Sequence, residues 1–203
     1  MLLALLTACL AIPVVTPPAR LSLVGGPSFE TVPQPVRPEE TLPLTGELRL
    51  GVQPLGMFPT LQDRMFDVTG GMLVHLDHGD ERLGATLEGS VYLWQEQWNP
   101  QSRARLRAFG ALDALGPEAR SPGWYPGARA GVGLDWGGFV PGAPSFDIGT
   151  DGSWVGVAYG EWAIGLVAEG GYQQLPETDL IQIALGVEVQ MPATAGFLLV
   201  PIR

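Results

Sequence analysis

The densest set of side chains able to do chemistry is the run His75-Leu76-Asp77-His78-Gly79-Asp80-Glu81, which holds both histidines of the chain together with three carboxylates. Imidazole and carboxylate are the ligand types of zinc and related metals, and His75 and Asp77, two residues apart, would share one face of a strand. The same run also reads as a turn between two strands that uses Asp and Gly for their turn geometry. That reading is adopted, and no metal is assigned. A second run, Asp147-Ile148-Gly149-Thr150-Asp151-Gly152, alternates acids with glycine as a calcium loop does, but it lacks the ligand number and the closing Glu of an EF-hand. It is taken as a polar loop following Pro141 and Pro144. Gly152-Ser153-Trp154 does not have the spacing of a nucleophile elbow. With two histidines in one turn, a Ser-His-Asp triad would have to draw on His75 or His78. No catalytic residue and no cofactor is therefore assigned, and the chain is expected not to be an enzyme.

Composition narrows the class further. The 203 residues carry a net charge of -10, and all eleven basic residues are Arg. Schiff-base and P-loop lysine chemistry is excluded, and the acidic balance argues against nucleic acid, whose phosphates need clustered cations. Cys9 is the single cysteine, so there is neither a disulfide framework nor a thiolate zinc cage. It closes the run Leu6-Thr7-Ala8-Cys9, which resembles the lipobox of bacterial lipoproteins. The resemblance implies a signal peptide over residues 1–8, cleavage before Cys9, and acylation of Cys9 as the new N-terminus. In that family an Asp after the cysteine retains the protein at the inner membrane; Leu10 stands here, which implies outer-membrane sorting. An ordinary cleaved leader and an uncleaved segment are the alternatives.

These residues must be carried by some scaffold, and the chain divides into two parts. Residues 9–44 are rich in proline (Pro13, Pro17, Pro18, Pro27, Pro33, Pro35, Pro38 and Pro43) and read as an extended tether, with strand character only over 21–26. From residue 45 to 203 the dominant period is two. Leu48, Leu50 and Val52 oppose Glu47 and Arg49. Leu83, Leu87, Val91 and Leu93 oppose Thr86, Glu88, Ser90 and Trp94. Leu106, Ala108 and Leu112 oppose Arg103, Arg105, Arg107 and Asp113, and Val187 and Val189 oppose Glu188 and Gln190.

Such a pattern fits a soluble barrel with its apolar face inside or an outer-membrane barrel with its apolar face in lipid. The segments approach the 9 to 11 residues a tilted membrane strand needs. Aromatics (Phe58, Phe66, Trp98, Trp136, Phe139, Trp154, Tyr172) gather at segment ends like interfacial girdles, and glycine is frequent inside the segments. The expectation is an all-β, antiparallel up-and-down barrel of about eight strands, of outer-membrane type. It lacks the terminal phenylalanine common in that class. Eight strands follow by two routes: a tight turn at Gly160-Glu161, or one long strand over 153–172 with residues 195–202 as the eighth. Glu47, Arg49, Asp67, Glu88, Arg103, Arg105, Arg107, Arg129, Asp135 and Glu188 then point into a narrow lumen, pair there, and plug it. The expected protein is a lipid-anchored component of the outer membrane with a structural, surface or assembly role, its partners the bilayer and other envelope proteins. A lipid-tethered periplasmic barrel binding a small apolar ligand and an envelope hydrolase are the alternatives.

Overall fold

Side chains that alternate between apolar and charged at period two give each strand two unlike faces, and antiparallel pairing lines up like faces across neighbours. The computed structural model describes residues 9–31, 44–58, 64–77, 80–99, 102–117, 123–143, 146–147, 153–176 and 179–201. They form β1 (Cys9–Thr16), β2 (Ala19–Glu30), β3 (Leu44–Val52), β4 (Phe66–Asp77), β5 (Asp80–Asn99), β6 (Ser102–Leu115), β7 (Tyr125–Ala143), β8 (Phe146–Asp147), β9 (Ser153–Gln174), β10 (Asp179–Met191) and β11 (Ala193–Pro201). One 3-10 turn, Pro54–Met57, follows β3.

From β2 to β7 each strand pairs antiparallel with the next. β7 then pairs β9, β9 pairs β10, and β10 returns to β2, so eight strands close in a ring. Beyond one end of the ring an open sheet continues. There β1 pairs β11, β11 pairs residues 153–159 of β9, and β8 pairs the start of β9. Thr16 lies opposite Thr194 and Ala19 opposite Met191, so β1 and β2 form one line broken at Pro17-Pro18, and β10 and β11 a second line broken at Pro192. Gly160, with φ of 98°, lies where β9 passes from ring to extension.

Three expectations change. Residues 9–30, expected as tether, supply two strands, and β2 closes the ring. Their prolines fall where a strand tolerates them: Pro13 in β1, which pairs β11 alone among the described residues, Pro17 and Pro18 in the break, and Pro27 where the ladder to β10 skips Ile183 and Ala184. Residues 1–8 and 32–43, where the rest of the leader and tether expectations fall, lie outside the described residues. Residues 153–174 are one strand with no turn at Gly160-Glu161. The ring's eighth strand is thus β2, while residues 193–201 prolong β10. Finally, a register shift between Tyr92 and Trp94 puts Tyr92 inside and leaves Trp94 44% exposed rather than on the polar face.

The sense of the alternation is the same around the ring. Leu112, Leu166, Leu185 and Leu83 on the outer wall are 66%, 62%, 70% and 56% exposed, whereas Arg107 is fully buried and Arg105 nearly so. Apolar residues cover the outside and charges fill the inside. Apolar side chains inside include a small cluster, Val24, Phe109, Val167 and Ala184, together with the buried Leu73, Tyr92, Leu115 and Leu180.

Candidate functional site: the lumenal ion-pair network

Inward side chains are long and charged only where the facing strand leaves room, and inward glycines supply it. A Cβ on Gly133 of β7 would sit 2.9 Å from Arg107 Nε, and one on Gly171 of β9 would lie 3.2 Å from Arg129 Cβ. Close approach, and not turn geometry, accounts for glycine at these strand positions.

Arginines and carboxylates interleave along the lumen in three levels. At the level nearest the open extension, Arg103 and Arg105 both pair with Glu161, Arg105 at 2.6 Å, and Arg105 stacks on the Tyr92 ring at 4.4 Å. Beside them Asp67 accepts from Arg64 (2.8 Å) and from the Gln53 amide (3.0 Å). In the middle, Glu88 accepts from Arg20 (2.9 Å) and Arg107 (3.0 Å), and Arg107 also pairs with Glu188 and, at 3.4 Å, with Asp135. At the far level Arg49 donates to Glu47 and Glu169. Arg129 donates to Asp113 (2.9 Å), Glu88 (3.3 Å), Glu169 (3.3 Å) and Thr86 (3.0 Å). Phe109 lies between the Arg107 and Arg129 guanidinium groups, at 4.8 and 5.7 Å.

The ten residues expected in the lumen, Glu47, Arg49, Asp67, Glu88, Arg103, Arg105, Arg107, Arg129, Asp135 and Glu188, are all buried inside the ring and all take part in ion pairs. Sequence reasoning left out Arg20, which lay in the supposed tether, Glu161, assigned to a turn, and Glu169. Parity along β9 would have found the last two, since they share a face with Ala163 and Val167. Arg64, Arg82 and Asp113 complete the set. Among the described residues eight arginines meet eight carboxylates inside, so these side chains together add no net charge to the lumen.

His75 departs from its expected place in an exposed turn. It is buried, and its ring Nδ1 lies 3.2 Å from Glu47 Oε1. Of the rest of that run, Glu81 is exposed, Asp77 and Asp80 are opposite each other in the β4–β5 ladder, and residues 78–79 lie outside the described residues. Residues 148–152 of the second acidic run lie outside them too.

Chemically, a network whose acids are already engaged by arginines is suited to filling and rigidifying a lumen. Two cavities within it, one bounded by Gln173 and Gln182 and one by Ser22 and Thr86, each have room for about one water. A depression of about 460 Å³ lies instead on the outer wall, where Gly89 and Gly110 face each other between Val68, Leu87 and Leu112. No protein-family model, curated protein or solved structure matches the chain.

Proposed function

We propose that the chain is an outer-membrane β-barrel lipoprotein with a structural, surface or assembly role in the bacterial envelope, and not an enzyme. The observation that carries this reading is the inversion of polarity: charges paired inside a closed ring, leucine, isoleucine and valine exposed around it. In water that arrangement exposes the apolar area that folding normally removes. In a bilayer it is the stable one, because a closed ring leaves no unpaired edge strand in the wall.

Dimensions support it. Trp162 and Tyr172 both face outward on β9, ten residues apart, which is about 33 Å along the strand and roughly 25 Å along the membrane normal at the usual tilt. That is the height of an apolar band between aromatic girdles. Ile164, Leu166, Ala168 and Gly170 lie between them on the outer face, with no charge. Trp136, which stacks edge-on against Trp162 at 5.8 Å, extends the lower girdle, and Trp124 stands near the upper one. A soluble barrel for an apolar ligand would need an apolar interior, and this interior holds sixteen charged side chains. A filled lumen leaves the outer surfaces and the open extension as the parts that can meet partners.

Insertion is tested with single fluorophores at Val132, Leu166 or Val187 in a Cys9→Ser background, reconstituted in vesicles whose lipid tails carry bromine. Strong quenching is expected at all three and little at Arg105 or Glu188. Absence of quenching at all three outer positions would sink the membrane reading. The anchor is tested separately, since Cys9 begins β1 at the tip of the extension: a fatty-acid probe should label the parent, and equal labelling of Cys9→Ser would end the lipoprotein reading.

A further inference from the structure

Arg49 and Arg129 each border both lumenal cavities, so the two cavities are divided by these guanidinium groups and by Glu169, which bridges them across the lumen. We propose that Glu169 is a two-position latch sealing an upper polar vestibule from the inner cavity. Its closed position is the bridge itself. Release breaks three hydrogen bonds, two from Arg49 and one from Arg129, but Arg49 keeps two hydrogen bonds to Glu47 while Arg129 keeps Asp113, Glu88 and Thr86. Neither guanidinium is orphaned; the penalty falls on the buried Glu169 carboxylate, which exchanges two cations for a neutral donor, so the open position is the minor one.

The open position is also built. Gln182 of β10 lies opposite Gly171 of β9, diagonal to Glu169 and two residues nearer the ring's end. Such diagonal neighbours are within reach of long side chains. The Gln182 side chain is more than nine-tenths buried, and its Nε2 donates to no partner among the described residues. A carboxylate swung from the two arginines to Gln182 Nε2 satisfies that donor and opens the floor of the vestibule toward Glu88. Two discrete acceptor positions with different partners are what a switch requires. Beneath the inner cavity the Arg20–Glu88–Arg107–Glu188 level stays closed, so the device admits water from one end without creating a through-channel.

The experiment reads access to Thr69, which borders the inner cavity and whose hydroxyl makes no hydrogen bond there. Thr69→Cys in a Cys9→Ser background, folded in detergent, is treated with 2-aminoethyl methanethiosulfonate, and the modification rate is followed by mass spectrometry. Adding Glu169→Ala, which removes three charge-assisted hydrogen bonds, should raise the rate about tenfold or more. Adding Gln182→Leu, which removes the open-state donor and breaks no ion pair, should lower it. Asp135→Asn, below the latch, should leave it unchanged. Equal rates with and without Glu169→Ala, equal acceleration by Asp135→Asn, or no slowing by Gln182→Leu would each overturn the latch. Should Glu169→Ala fail to fold, the Gln182→Leu comparison still decides. The measurement is made in detergent, so its outcome is independent of whether the wall meets lipid.

Discussion

The ring and the open extension share β9, and β1 and β11 continue the lines of β2 and β10, yet the two regions follow opposite rules. Within the ring every strand has a neighbour on both sides and two chemically distinct faces, charged inward and apolar outward. In the extension β1, β11 and residues 153–159 carry no charged residue at all, and β1 is an edge strand among the described residues. Closure supplies an inside, and an inside gives meaning to alternation. Where the sheet is open, there is no lumen to line and the two-residue code disappears. The joint between the regimes is marked by chain breakers on three adjacent strands: Pro17-Pro18, Gly160 and Pro192.

The comparison breaks most sharply if the inner charges prove dispensable. Arg107 is fully buried and is shared by Glu88, Asp135 and Glu188. Arg107→Leu leaves three carboxylates around an apolar side chain, which should cost about 3 to 5 kcal/mol, read from urea unfolding in vesicles. A loss below about 1 kcal/mol would mean that the network tolerates unpaired acids, as a hydrated lumen would, and the plugged interior would have to be abandoned.

The outer face comes next in size. On the proposed membrane placement, Leu166→Arg on the ring wall, between Trp162 and Tyr172, should cost about 2 to 4 kcal/mol in vesicles, the penalty for an arginine near the bilayer midplane. Ile12→Arg in β1 lies beyond the girdles and should cost less than about 1 kcal/mol. Equal costs at the two positions would place the extension in hydrocarbon as well and erase the distinction between the regions.

The ring was legible in the sequence because it obeys a period, whereas the extension and the first strand were not. Parity alone placed Glu88, Arg105, Arg107 and Glu188 on one face, and the structure has them there. Parity could not reveal that Arg20 belongs to the same lumen, because Pro17, Pro18 and Pro27 read as a tether while in fact they occupy breaks in the ladders. The sense of Trp94 was lost to a single register shift, which no pattern of hydropathy announces. His75 was read within a turn run, although the alternation over residues 66–77 already sets it on the polar face, where it meets Glu47. The pairing partners themselves were out of reach of any one-dimensional reading, since Arg107 and Glu188 are 81 residues apart.

The smallest expected effect probes the joint. Gly160 is the described glycine with positive φ, 98°, and a Cβ there would meet Gly56 O at 3.7 Å and Ala193 N at 3.9 Å, ordinary contact distances. Space is therefore available and only the backbone objects. Gly160→Ala should cost about 1 to 2 kcal/mol, the penalty of a left-handed conformation for a residue with a Cβ. Gly89 on the ring wall is the control: a Cβ there would meet nothing within 4 Å. Gly89→Ala should change stability by no more than about 0.5 to 1 kcal/mol, in the stabilising direction, by restricting the unfolded chain. The two variants are compared by urea unfolding in the same vesicles. If they behave alike, the joint does not depend on the left-handed conformation of Gly160, and the change from closed ring to open sheet must be imposed by Pro17-Pro18 and Pro192 alone.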